Sequence, residues 1–136
     1  MRTEKDFDPL AKYHVAANTP YIRYFFSFIL EFELYKSLCL ESDNYDPKDP
    51  SKPLHLCDFS HGSLARKAGT KMKHLLEKGS SEPWPKTLEE MTGSRKLDSG
   101  AILEYYKPLQ DWLDKELTAN QVHRGWNSQF DKWISA

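Results

Sequence analysis

The chain has no excess of charge of either sign. Its 136 residues include 19 lysine and arginine residues against 20 aspartate and glutamate residues, so its formal net charge is −1. Nucleic-acid-binding domains and proteins attracted to anionic membrane surfaces usually carry clustered basic residues. We therefore expect neither nucleic acid nor a membrane surface among its partners.

Residues 1–136 contain no recognisable targeting or anchoring segment. The first residues, MRTEKDFDPL, are charged and lack the apolar core of a secretory signal, so the protein is intracellular or its natural N-terminus lies upstream. A membrane-spanning helix needs about 20 mostly apolar residues. The longest apolar run, between residues 20 and 40, is interrupted by four charged side chains. We expect no membrane anchor in this chain.

Cysteine is scarce, because only Cys39 and Cys57 are present, 18 positions apart. A bridge between them would stabilise the fold by roughly 3 kcal/mol in the chain-entropy model. The spacing favours this disulfide over free thiols, which a cytosolic protein would retain. A third alternative is zinc bound by both cysteines with His55 and His61, although the spacing matches no common structural zinc pattern. The H-E-x-x-H zinc motif occurs nowhere in the chain.

The apolar residues concentrate between Pro20 and Leu40 and would lie on every face of a helix. Asn18 or Thr19 can cap this helix, and Pro20 suits its first turn. A helix that is apolar on all sides is normally buried among other helices. We predict a buried central helix at about 20–40. The rest of the chain is too short of amphipathic segments to surround it, which indicates a segment of a larger, mainly α domain.

The remaining sequence predicts three further helices. Their expected ranges are 60–78, 86–92 and a last one that starts near Asp98 or Ser99 and is kinked or split at Pro108. Residues 7–15 are predicted as extended, residues 41–53 as a solvated loop, and Trp84 as packed. Trp126 and Trp133 are predicted to anchor an irregular tail.

A set of polar side chains surrounds the start of the central helix: Lys12, His14, Tyr21, Arg23 and Tyr24. A lysine can hold a carboxylate, a histidine can donate to a carbonyl or oxyanion, and a tyrosine hydroxyl can do either. The alternative is structural. In that interpretation the tyrosines belong to the core, Lys12 extends along apolar surface, and His14 is a turn residue with satisfied hydrogen bonds.

The segment FDPLAKYHVAANTPYIRYFFSFILEFELYKSLC, at residues 7–39, resembles the angiotensin-converting-enzyme family of zinc dipeptidyl carboxypeptidases. The later stretches PLHLCD, EPWP, MTG and YYKPLQDWL continue the resemblance in order. It covers nearly the whole chain but only the C-terminal portion of the family's peptidase domain. The H-E-x-x-H helix and the third zinc ligand of that family normally lie upstream, so the resemblance implies that residues 1–136 alone are inactive.

The resemblance implies a role for each polar residue. Lys12 and Tyr21 would bind the free C-terminal carboxylate of a peptide substrate, and His14 would hydrogen-bond a substrate carbonyl. Tyr24 would donate to the oxyanion of the tetrahedral intermediate, and Arg23 would hold a chloride ion. Cys39 and Cys57 would form a family disulfide, which implies a secreted, extracellular protein.

The leading hypothesis is therefore the C-terminal part of a secreted zinc peptidase that removes dipeptides from peptide C-termini, with zinc and chloride as cofactors. Its zinc ligands would come from an upstream part of the same domain. Two alternatives remain: a truncated homologue that binds peptides or proteins without catalysis, and a small independent helical protein.

Overall fold

The computed structural model describes Thr3 and residues 11–125, and this part of the chain is helical with no strand. The mainly α prediction is confirmed. The described elements are α1 (Tyr13–Ala16), α2 (Ile22–Glu41), a short 3-10 helix (Leu54–Leu56), α3 (Ala65–Lys78), α4 (Trp84–Thr92) and α5 (Gly100–Ala119).

The sequence predicts where the helices end more accurately than where they begin. Gly79 and Gly93, both with positive φ, end α3 and α4 as expected. Pro20 lies before α2 instead of in its first turn, and Tyr21 occupies the N-cap position without a side-chain cap. The last helix continues through Pro108, so the alternative of a split is wrong, while a kink at this residue stays a prediction.

Burial of α2 is confirmed only for its second half. Leu38 and Cys39 are 4% and 0% exposed, whereas Phe25 and Phe28 in the first half are 59% and 58% exposed. The reason lies in the packing, because α3, α4 and α5 all contact α2 and their buried partners are at its C-terminal end. Among the described residues, the phenylalanines in the first half of α2 therefore stay largely exposed.

Two small clusters form the core around the end of α2. In one, a disulfide joins Cys39 to Cys57 beside Tyr45 and Leu54. In the other, Leu38 packs against Ala68 of α3 and Met91 of α4. These clusters fix α3, α4 and the 3-10 helix against the second half of α2.

A polar link attaches α5 to the same region. The Nζ atom of Lys36 lies 2.7 Å from Oε2 of Glu104, and the hydroxyl of buried Tyr45 donates to Oε1. Burial raises the pKa of Glu104, but the hydrogen bonds from Lys36 and Tyr45 outweigh it, so the net pKa lies below its usual value. The carboxylate is thus held ionised between α2 and the loop that follows it.

The sequence also predicts packed positions for three tryptophans. Trp84 is 61% exposed, so its predicted packing is wrong for this chain. Trp126 and Trp133 lie outside the described residues. Within residues 11–125, no helix is both long and apolar enough to cross a membrane.

Removing the disulfide should destabilise the chain. The bond links residues 18 positions apart, and a loop of this size corresponds to about 3 kcal/mol of folding free energy in the chain-entropy model. We expect Cys39→Ala/Cys57→Ala to lower the urea midpoint accordingly. Reduction with dithiothreitol should lower the wild-type midpoint similarly and leave the double variant unchanged. If the urea midpoint of the wild-type chain is the same with and without dithiothreitol, the disulfide does not stabilise the fold.

Candidate functional site

The candidate site forms where the chain reverses between α1 and α2. The backbone N–H of Thr19 donates to the carbonyl of His14 at 2.8 Å, and Asn18 adopts a positive φ of 52°. Asparagine is one of the few residues that tolerate this left-handed conformation. The turn directs α1 back over the first turn of α2, so His14 faces residues that follow it by seven and ten positions.

His14, Tyr21 and Tyr24 form one contiguous group. The Nε2 atom of His14 lies 2.7 Å from the hydroxyl oxygen of Tyr24. The imidazole also stacks on the Tyr21 ring, with centroids 4.7 Å apart and planes inclined by 29°. The two tyrosine rings are 6.3 Å apart, as expected for side chains at i and i+3 on one helix face. The structure therefore brings together three of the five predicted polar residues.

The hydroxyl of Tyr24 can serve two purposes, according to the tautomer of His14. If Nε2 of His14 carries no proton, the tyrosine donates to it. If Nε2 carries a proton, the imidazole donates to the tyrosine oxygen, and the hydroxyl proton is then free to donate to another acceptor. Because Tyr24 is 51% exposed and Tyr21 is 49% exposed, such an acceptor can reach the group from outside the chain.

Lys12 and Arg23 are near this group in sequence, and neither side chain forms a hydrogen bond or ion pair with it. Both are exposed, and neither forms an ion pair with another described residue. The backbone of Lys12 is fixed, because its carbonyl accepts the N–H groups of Val15 and Ala16. The first turn of α2 contains no acidic residue, and a helix N-terminus carries partial positive charge. The electrostatics around the site favour an anion.

The predicted extended conformation of residues 7–15 holds at Lys12, whose φ is −92° and ψ 125°, but it is wrong from Tyr13 onward. Residues 7–10 lie outside the described part, while Tyr13–Ala16 form α1. Four residues are too few to show a helical apolar period, which is why the pattern missed this turn. It also missed Tyr13, whose ring meets the His14 ring edge-on at 5.8 Å.

The zinc alternative with both cysteines and two histidines is wrong, because Cys39 and Cys57 are joined to each other. His61 instead contacts Asp58, with Nδ1 2.6 Å from Oδ2. Hydrogen bonds from Ser60, followed by that from His61, hold the pKa of Asp58 below its usual value. Across the described residues, no group of three or more His, Cys, Asp or Glu side chains is arranged to hold a metal ion.

Sequence comparison identifies related proteins. The sequence profile of the angiotensin-converting-enzyme family matches residues 1–126. An angiotensin-converting enzyme of Theromyzon tessulatum is 44% identical over 134 residues, which cover 98% of this chain. An angiotensin-converting enzyme-related protein of Drosophila melanogaster is 44% identical over 126 residues, or 93% of the chain. The enzyme of Mesocricetus auratus is 41% identical over 126 residues, again 93% of the chain.

The alignments cover nearly all of this chain but only a small part of each relative. The aligned region makes up 20% of the Theromyzon and Drosophila proteins and 9% of the Mesocricetus protein. The chain thus corresponds to a limited part of each relative. The profile match over residues 1–126 and the identities above 40% place the chain in the angiotensin-converting-enzyme family.

Proposed function

We propose that this chain supplies one wall of the substrate cleft of a secreted zinc peptidase that removes dipeptides from peptide C-termini. The observation that carries the proposal is the exposed His14–Tyr21–Tyr24 group, with its 2.7 Å contact between His14 and Tyr24. In this proposal residues 1–136 form the C-terminal segment of one peptidase domain, and an upstream part of that domain completes the cleft.

Lys12 and Tyr21 bind the free C-terminal carboxylate of the peptide. Lys12 has no ionic partner among the described residues, so its charge is available to a substrate. Tyr21 contributes a hydroxyl donor from the N-cap position of α2. A lysine and a tyrosine together provide a charged and a neutral donor, which selects a carboxylate over an uncharged amide.

His14 and Tyr24 act at the scissile peptide bond. His14 hydrogen-bonds a substrate carbonyl, and Tyr24 donates its hydroxyl to the oxyanion that develops when water attacks. Donors placed where negative charge develops lower the barrier, since they act more strongly on the transition state than on the substrate. The contact between His14 and Tyr24 supports this assignment. The imidazolium form of His14 would donate Nε2–H to the tyrosine oxygen and Nδ1–H to the substrate carbonyl, which leaves the tyrosine proton free to point at the oxyanion.

Arg23 holds a chloride ion in this proposal. Its guanidinium lies in the first turn of α2 and has no acidic partner among the described residues. The positive end of the helix macrodipole adds to the attraction for an anion.

Zinc does not fit the residues described here, since none of their His, Cys, Asp and Glu groups can hold a metal. When bound elsewhere in the domain, the ion would supply an activated water. The disulfide between Cys39 and Cys57 supports secretion, because such bonds persist mainly in oxidising compartments.

A chimeric enzyme tests the proposal. The matched segment of the Theromyzon angiotensin-converting enzyme is replaced by this chain, and dipeptide release is measured from a blocked tripeptide. The isolated 136-residue chain, which contains no H-E-x-x-H, serves as the blank. An active chimera supports a catalytic wall. A folded, zinc-loaded chimera that binds the tripeptide without cleaving it would favour the alternative of a non-catalytic peptide-binding homologue.

Tyr24→Phe should lower kcat of the chimera by about 10²–10³-fold with a much smaller change in KM, because one oxyanion donor is lost. Tyr106→Phe is the matched control, since this tyrosine packs against Phe32 far along α2. The control should retain full kcat. An unchanged kcat in Tyr24→Phe would remove this hydroxyl from the mechanism.

Lys12→Ala should weaken kcat/KM for peptides with a free C-terminus by roughly ten- to a hundredfold, since a charge-assisted contact is lost. Amidated peptides carry no terminal charge, so they should be poor substrates already and lose much less. Lys48→Ala, a change of an exposed lysine in the 41–53 loop, is the control and should affect neither substrate. Equal losses for acid and amide in Lys12→Ala would indicate a structural role.

A further inference from the structure

A broad cavity lies along α3, beside the end of α2. It has a volume of about 940 Å³, and its lining comes from the first three turns of α3, the 62–64 segment before them and Glu41 at the end of α2. Along α2, Tyr24 is roughly 25 Å from Glu41 at the helical rise per residue. The cavity therefore belongs to a different surface from the His14–Tyr21–Tyr24 group.

Basic side chains line this cavity in a row. Lys67, Lys71 and His74 lie on one face of α3 at intervals of roughly 6 and 4.5 Å along the axis, and Arg66 lines the cavity beside them. The imidazole of His74 is 3.7 Å from Glu90 of α4. The apolar side chains of α3 pack against the core from another face. The row is therefore open to a ligand, and its permanent charges are those of the two lysines and the arginine.

Little negative charge opposes this row. Among the described residues that line the cavity, Glu41 is the one carboxylate, and it lies 3.6 Å from Lys71. Charge-assisted hydrogen bonds are typically about 2.7–2.9 Å long, so this pair is loose. Arg66 and Lys67 form no ion pair with a described residue. By contrast, several other lysines pair with a carboxylate four positions away: Lys73–Glu77, Lys78–Glu82, Lys86–Glu82 and Lys107–Asp111.

A linear polymer with negative charges along its length fits this row better than a single anion. One anion could contact only one or two of the basic side chains, whereas a polymer can follow the cavity and meet all of them. Short segments rich in lysine and arginine are typical of nucleic-acid-binding and heparin-binding surfaces. We propose that the cavity binds a sulfated polysaccharide, whose sulfate groups accept hydrogen bonds from Arg66, Lys67 and Lys71.

The lining favours this polymer over other polyanions. Single-stranded nucleic acid binds where bases stack on aromatic rings, and no described Phe, Tyr or Trp lines the cavity. A helix that lies on an anionic membrane needs apolar side chains to insert, whereas Leu64, the large apolar residue of the lining, is half-buried. Sulfate groups need only the basic side chains. The choice also rests on the proposed function, because secretion would bring the chain among extracellular polysaccharides.

The test is a titration of a fluorescently labelled heparin octasaccharide with the 136-residue chain, followed by anisotropy in about 0.15 M NaCl, which is physiological ionic strength. We expect saturable binding that weakens as salt rises, since counterions are released when the charges meet. Desulfated heparin of the same length keeps its carboxylates and should bind much more weakly. A DNA duplex and phosphatidylserine vesicles, at matched charge concentration, should not displace the octasaccharide. The assay needs neither zinc nor peptide cleavage, so its outcome is independent of the activity of the chimera.

Three variants locate the site. Arg66→Gln/Lys67→Gln should weaken octasaccharide binding by roughly ten- to a hundredfold, because two charge-assisted contacts are lost. Lys48→Gln/Lys115→Gln removes the same charge from exposed lysines outside the cavity and should bind as the wild type does. Glu41→Gln should bind several-fold more tightly, since it removes the repulsive carboxylate and frees its partner lysine. Such a gain cannot result from unfolding.

Four results would overturn the proposal. They are the absence of saturable binding at physiological ionic strength, equal affinity for the desulfated octasaccharide, displacement by DNA or by the vesicles, and the same affinity in both double variants. Unchanged or weaker binding in folded Glu41→Gln would also count against it, because the cavity lining would then not control affinity.

Discussion

The architecture depends on burying the second half of α2. Three helices and the disulfide converge on Leu38 and Cys39, and nearly all fully buried side chains of the described chain lie close to that point. Because the hydrophobic effect scales with apolar area removed from water, this end of α2 is where folding free energy accumulates. The first half contributes a long apolar surface that remains outside the core.

The two halves of α2 therefore have different structural roles. Its anchored half fixes the helix axis, and the first turn then projects Tyr21 and Tyr24 from a rigid support. The α1 turn only has to place one imidazole against them, and it does so through a backbone hydrogen bond and a left-handed asparagine. Sites built on anchored helices hold their geometry better than sites on free loops. The exposed phenylalanines beside them are suited to packing against further protein.

The sequence predicts the parts of this arrangement that depend on strong local signals. The long apolar run located α2, the apolar period located α3 and α5, the glycines located helix ends, and the 18-residue spacing favoured the disulfide. Local signals did not predict α1, which is too short to show a period. They also missed the exposure of Trp84, because burial depends on which partners reach a residue. The stacking of His14 on Tyr21 depends on the path of a five-residue turn, which composition does not determine.

The charged residues of α2 are placed unfavourably with respect to the helix dipole, which favours acidic residues at the N-terminus and basic residues at the C-terminus. Arg23 lies near the positive end without an acidic partner, and no basic residue lies in the last turn to offset the negative end. Glu33, further along, keeps a buried oxygen without a donor. Each arrangement costs stability within the described chain, since cations near a helix N-terminus and unpaired buried carboxylates are both unfavourable. The cost at Arg23 disappears if an anion binds beside its guanidinium. Local conflicts of this kind are typical of functional sites, and here the core around Leu38 and Cys39 supplies the stability that tolerates them.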